Sequence, residues 1–277
     1  MIVELDHRLF LAQDYAIINP MQVGREAYSD LSPLRLQPKG LERHEHILPL
    51  LVDLKSLEAA HRIELLERTL SWAQRHHMPL FSALFSSEHT YAQVFSELLR
   101  RTVLQREGGQ RVWLRYYDPR VFRHLQWLLD DEQLATLMGS AQTWLGFDPL
   151  CRRWHQWTRP NAAKGLYLRL DSEQWQAVSH LEALNRCLRD LAEMGQESGD
   201  DIAKRVLEGL LVARRQGLAH FSDAALFALQ QLEYGPEFAL FPAVALRLQR
   251  AREQGISYSS ACRGLSNDDL ACRSGVA

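Results

Sequence analysis

Lysine is nearly missing from this chain. It occurs only at Lys39, Lys55, Lys164 and Lys204 among 32 basic residues, so the positive charge is carried almost wholly by arginine. Arginine's planar fork suits bidentate contacts and protein interfaces better than a point charge does. The net charge of −2 leaves no global pull toward nucleic acid or an anionic membrane, and neither is expected as a partner. Cysteine is also scarce. Cys151, Cys187, Cys262 and Cys272 are scattered and form no CxxC pair, so reduced thiols are expected rather than a disulfide frame or a zinc site. No apolar run approaches the ~18 residues that a membrane helix needs. Glu4, Asp6 and Arg8 interrupt the first apolar residues, which argues against a secretory leader and for a cytoplasmic protein. There is no GxxxxGK(S/T) or GxGxxG loop for phosphate, no GxSxG elbow and no HExxH helix. No catalytic residue, cofactor or metal site is assigned, and the chain reads as a binding protein rather than an enzyme.

What is present is enough apolar sequence for one large or two modest domains: 277 residues, 46% of them hydrophobic. An N-terminal lobe over residues 1–160 mixes strand and helix signals. Tyr15–Asn19 is an apolar run stopped by Pro20. Residues 20–46 are proline-containing and polar, and predict an irregular connection. Ile47–Leu54 and Pro79–Ser86 are further strand candidates. Ser56 is placed to cap a helix running to about His77, with Ala59, Ile63, Leu66, Leu70 and Ala73 on one face. Ser87 is placed to cap the next, whose Tyr91, Val94, Phe95, Leu98 and Leu99 repeat at helical spacing.

Gly108 and Gly109 then turn the chain. Over Val112–Asp118 the alternation predicts a strand with Val112, Leu114 and Tyr116 on one face and Trp113, Arg115 and Tyr117 on the other. Asp118 suits an N-cap and Pro119 the first position of a helix carrying Val121, Phe122, Leu125, Leu128 and Leu129. Asp130 with Gln133 reads as a capping box for a short helix ending at Gly139. Trp144, Trp154 and Trp157 fall in two short strands. Residues 161–277 contain only helix signals. A helix opened by Asp171 and Gln174 carries Trp175 through Leu191, a second covers 201–216, Ser222 caps a third, and Pro242 starts a fourth that Gly255 stops. The last ~15 residues are polar and serine-rich and are expected to fray. The predicted class is α+β: a small mixed sheet flanked by helices, followed by an all-α bundle.

Two groups invite chemistry. His44 and His46, with His61, His76 and His77 nearby, would need to converge to hold a metal; solvated or capping roles are the expectation. Asp118 lies between Arg115 and Arg120, which suits a cap and an ion-pair anchor better than a general acid. Trp113, Arg115 and Tyr117 could form a cation–π ladder, with the composition of a binding hot spot if uncovered and of core if covered.

LLRR at 98–101, WLRYYDPRVF at 113–122, DDEQLATLMG at 130–139 and the WLGFDP and RRWHQW segments together resemble the N-terminal domain of type VI secretion effector adaptors. These are the Tap/TEC chaperones, whose domain was long described as one of unknown function. The resemblance spans residues 13–160, and its most specific part is the LR-x-YDPR stretch. The segment from Arg205 to Phe238 resembles the helical tails of the same proteins. Asn19 stands where an acidic residue is expected after the first apolar run. The resemblance implies a cytoplasmic protein with no enzymatic activity that binds a toxic effector and helps load it onto the VgrG spike protein. It places partner contact, or the scaffold for it, at Arg115, Tyr117, Asp118, Pro119 and Arg120. Two alternatives stand beside it: an immunity-type protein that neutralises a toxin by direct binding, and a metal-dependent hydrolase built on His44, His46 and nearby acids.

Overall fold

The computed structural model describes residues 1–106, 108–196 and 199–264. The chain divides into two compact units, Met1–Asp171 and Ser172–Ala277. In chain order the first holds β1 (Ile2–Val3), α1 (His7–Leu11), β2 (Tyr15–Ile18), β3 (Leu34–Arg35), β4 (Leu50–Asp53), α2 (Ala59–His76), β5 (Ala83–Ser86), α3 (Tyr91–Thr102), β6 (Val103–Gln105), β7 (Arg111–Trp113), α4 (Pro119–Leu128), α5 (Asp131–Met138), β8 (Thr143–Asp148) and β9 (Arg153–Thr158). Seven strands form one sheet in the order β1-β9-β8-β5-β2-β4-β3, and β6 and β7 pair separately as a hairpin. The class is α+β with a helical C-terminal part. The sheet is larger than the small mixed one expected, and every pairing in it is antiparallel.

All four residues of β2 are buried, which explains its unbroken apolar run: both faces of the sheet are covered. The two faces differ in chemistry. On one, Val52, Ala16, Leu84 and Leu145 follow one another across β4, β2, β5 and β8. They pack with Phe10 of α1 and with Leu65, Leu66 and Ala73 of α2 in a single aliphatic-rich core. On the other face Tyr15, Phe85, Trp144 and Trp157 stand in register across β2, β5, β8 and β9. Tyr15 and Phe85 meet at a tilt, with centroids 5.5 Å apart, and Phe85 stacks on Trp144 at 5.1 Å.

Several element ends move from their expected places for local reasons. Residues 42–47 wind as a 3-10 helix, and the strand expected from Ile47 starts at Leu50, just past Pro49. Ser56 does not cap α2. Its hydroxyl donates to Asp53 O (2.9 Å), and Glu58 stands at the cap. Ser87 is likewise drawn away, its N–H donating to Asp14 Oδ2 (2.8 Å), and Thr90 caps α3 in a capping box with Gln93. The connection at 20–46 contains β3 and short 3-10 turns. Asn19 is fully buried and turns the chain into it, its Oδ1 accepting from Met21 N (3.2 Å).

Asp30 pins this connection to α2. Arg68 donates through both terminal nitrogens, Nη1 to Oδ1 (2.8 Å) and Nη2 to Oδ2 (2.9 Å), while His61 Nε2 lies 3.0 Å from Oδ2. The Arg68 hydrogen bonds hold the Asp30 carboxyl at about 2, well below the usual carboxylate range. A depressed folded-state pKa contributes stability that is complete above the unfolded value, about 4, and is lost as pH falls through the folded one. Asp30→Asn should therefore lower the unfolding midpoint at neutral pH, and that gap to the parent should close as pH drops from about 4 toward 2. Urea unfolding across that range measures it; a gap that persists unchanged in acid contradicts the assignment.

After β9 the chain stays with the first unit beyond residue 160. Gly165 N donates to Thr136 Oγ1 (2.7 Å), and Gln133 Nε2 donates to Arg169 O (2.8 Å).

The second unit contains α6 (Ser172–Ser179), α7 (Leu181–Glu193), α8 (Asp200–Arg215), α9 (Phe221–Tyr234), α10 (Pro242–Gln254) and α11 (Tyr258–Ala261). The single helix expected to run to Leu191 breaks at His180. There Ser179 Oγ donates to Gln176 O (2.7 Å) and His180 Nδ1 lies 2.8 Å from the same carbonyl, so side chains take over a helical acceptor. Ser222 lies inside α9, and His220 holds the cap position. Phe227, Phe238, Val244, Leu248 and Tyr258 centre the core. Gly209 of α8 faces Ala228 of α9 so closely that an added Cβ would stand 2.8 Å from the Ala228 Cα. Among the described residues no helix is long and apolar enough to cross a membrane. The expected fraying of the tail falls mostly on residues outside those described.

Candidate functional site: a salt-bridged corner on an aromatic floor

The strand expected over Val112–Asp118 stops at Trp113. Leu114 N still reaches Thr102 O (2.8 Å), but Asp118 N then closes a turn on Arg115 O (2.9 Å). In a strand Tyr116 and Tyr117 would point to opposite faces. In the turn both are buried, each at 1% exposure. Tyr116 comes against Trp144 (5.8 Å between centroids) and Tyr117 against Trp113 (6.4 Å). Burial pushes both phenol hydroxyls far above their usual range, with the Arg115 guanidinium opposing the shift at Tyr117. The cation–π ladder of Trp113, Arg115 and Tyr117 is replaced by an ion pair: Arg115 turns to Asp118.

Asp118 is the centre of the corner. It is 2% exposed and caps α4, with Oδ1 accepting from Arg120 N (3.0 Å). The same carboxylate takes Arg120 in a fork, Nε to Oδ1 at 2.9 Å and Nη2 to Oδ2 at 2.7 Å, and takes Arg115 Nη2 at 3.3 Å. Two guanidiniums, each about one-third exposed, thus close over one buried carboxylate. Pro119 is buried at the first position of α4, as its fixed φ favours. It sits against Gly146 of β8, where a Cβ would meet both Pro119 Cβ (3.3 Å) and the Trp157 ring (3.2 Å). One turn on, Phe122 stacks on Trp144 (4.9 Å) and meets Trp157 edge-on (5.1 Å). Among the five residues singled out, Tyr117, Asp118 and Pro119 are therefore core, and only Arg115 and Arg120 present surface.

Beside the corner, α3 carries a second ionic knot. Glu97 Oε2 accepts from Arg101 Nη1 (3.1 Å) and Ser140 N (3.0 Å), and His89 Nδ1 lies 3.1 Å from Oε1. Burial is the largest influence on the Glu97 carboxyl and acts to raise its pKa, but the Arg101 charge and the hydrogen bonds from Ser140 and Arg101 together outweigh it and hold the carboxyl below its usual value. Arg101 Nε also donates to Thr136 O (2.7 Å), tying α3 to α5. Gly139, at φ +61°, ends α5 where any Cβ would fall 2.1 Å from the Arg101 guanidinium. A shallow open groove of about 450 Å³ runs along α3 between His89, Gln93, Ser96, Glu97 and Arg100.

The histidines weighed for a metal do not gather. His44 and His46 are exposed on the 3-10 turn, His61 is paired with Asp30, His76 lies against Trp72 (4.1 Å), and His77 ends α2 at φ +52°. The group that does converge was not singled out from sequence. Asp148, Cys151 and His155 bring their ligand atoms within 4.8 Å of one another around the β8–β9 turn. The D-x-x-C-x-x-x-H spacing is the only trace of it in the sequence, and it acquires meaning only once a hairpin folds it back. Among the described residues the other thiols are those of Cys187 and Cys262, in the helical unit; burial pushes that of Cys187 up to about 11.

No curated protein and no solved structure matches the chain. Residues 25–136, which contain the corner, the β6–β7 hairpin and the Glu97, Arg101 and His89 side chains of the ionic knot, match the family model described as Domain of unknown function (DUF4123).

Proposed function

We propose that this protein is a non-enzymatic cytoplasmic adaptor that binds a type VI secretion effector and promotes its loading onto the VgrG spike protein. The observation that carries the reading is the DUF4123 match over residues 25–136, a family associated with type VI secretion effectors. The geometry of the corner supports a scaffold. Its carboxylate is saturated by two guanidiniums and a backbone N–H, and its tyrosines and proline are packed into the core. A carboxylate so engaged has little acceptor capacity left for a reacting group, whereas the partly exposed forks of Arg115 and Arg120 have the chemistry favoured at protein interfaces.

The test is co-purification. The tagged full-length chain, co-expressed with VgrG and with the effector encoded beside it, should retain both partners and should be required for secretion of the effector. Failure to retain either partner, when each is folded on its own, overturns the proposal.

A further inference from the structure

The β8–β9 turn brings together three side chains that the adaptor reading does not use. Asp148 ends β8, Cys151 lies in the turn, and His155 stands in β9 opposite Gly146. Arg152, at φ +54°, takes the left-handed conformation that folds the turn back. Cys151 Sγ comes within 3.5 Å of His155 Nε2. Tetrahedral zinc, with bonds of about 2.3 Å to sulfur and about 2.0 Å to nitrogen, places those two ligand atoms roughly 3.5 Å apart. We propose that Asp148, Cys151 and His155 bind a divalent cation of the zinc class, with water in the fourth position.

The donor set fits this ion. Thiolate, imidazole and carboxylate together suit a borderline-soft cation and suit magnesium or calcium poorly. His155 lies flat against Trp157, with centroids 5.6 Å apart and ring planes 21° apart, which holds the imidazole plane. Asp148 is held in place by Arg123, whose Nη1 donates to Oδ2 (2.5 Å), and by Leu150 N, which donates to Oδ1 (2.9 Å). A carboxylate offers about four acceptor positions, so both oxygens keep capacity for a metal. Such outer contacts are how ligating carboxylates are oriented. An ordinary thiol, with a pKa of about 8.5, is mostly protonated at neutral pH, so the metal-free site carries an S–H. Binding therefore forms a sulfur–metal bond and releases the thiol proton to solvent, one proton per ion, with no change of oxidation state.

The 3.5 Å approach of sulfur to imidazole would also suit a plain hydrogen bond, and metal titration separates the two. The full-length chain is stripped with a chelator and titrated with Co²⁺, and the bound cobalt is then displaced with Zn²⁺. The expected result is one ion per chain, with a thiolate-to-cobalt charge-transfer band that zinc abolishes. Affinity should tighten as pH rises, because a proton leaves on binding. Cys151→Ser should remove the band, and His155→Gln should weaken zinc binding by at least about 100-fold, more than the loss of an outer contact usually does. Circular dichroism verifies that both variants fold, and Cys262→Ser should keep the band. Absence of stoichiometric binding, or a band that survives Cys151→Ser, overturns the proposal.

Discussion

Replacing Asp118 with alanine should destabilise the N-terminal unit by about 3 kcal/mol, as breaking a largely buried ion pair typically does. Two losses combine. The N-cap of α4 disappears, which costs about 1 kcal/mol. Arg115 and Arg120 also keep their charges beside a site that no longer neutralises them. Both guanidiniums are about one-third exposed and regain some hydration, which keeps the total at the lower end of the range for buried pairs. Asp118→Asn separates the contributions. It retains an oxygen for the Arg120 N–H but not the charge, so it should lose about half as much. Chemical denaturation monitored by the fluorescence of the tryptophans packed on this corner reads the effect, since Trp144 and Trp157 contact the same helix turn. If Asp118→Ala unfolds at the parent's midpoint, the corner is not the anchor described here.

Gly209→Val should lower the stability of the helical unit by a comparable amount, about 3 kcal/mol, the upper part of the range for overpacking. In an exposed helix interior, replacing glycine with a residue bearing a side chain usually gains a few tenths to 1 kcal/mol. Here the sign reverses, because the new Cβ would stand 2.8 Å from the Ala228 Cα and 3.2 Å from its carbonyl oxygen. Those are backbone atoms, which cannot rotate aside, so α8 and α9 must move apart. Gly209→Ala should be destabilising too, by less, while Gly199→Ala, with open space around it, serves as the control. A thermal midpoint for Gly209→Val equal to the parent's would mean that the two helices do not approach this closely in solution.

The sequence carried the helices and the corner better than the sheet. Asp118-Pro119 and Asp130 with Gln133 are read locally, because cap and capped N–H lie within three residues, and both formed as expected. Ser56, Ser87 and Ser222 met the same local rule and failed it. For Ser56 and Ser87 the competing partners were Asp53 and Asp14, and Asp14 is distant in sequence. The aromatic row was illegible because Tyr15, Phe85, Trp144 and Trp157 become neighbours only through register, over separations no local pattern reports. Alternation over Val112–Asp118 misled for a related reason. Both tyrosines are needed in the core, and a turn can bury both where a strand buries one. The Asp148, Cys151 and His155 cluster was missed because each residue alone looked ordinary.

The strand order has a consequence for how the first unit is made. Ile2 pairs with His155, and β5 finds its second neighbour only in β8, so the sheet closes through contacts that span almost the whole unit. Such pairings must meet the entropy of a long closed loop before any ladder rewards it, which slows folding. On the ribosome β2, β4 and β5 can assemble early, but the aromatic face stays uncovered on its β8 side until residue 158 has emerged. Nascent chains of this protein should therefore expose Phe85 and its neighbours from the emergence of β5 until that of β9, and depend on holding factors over that interval.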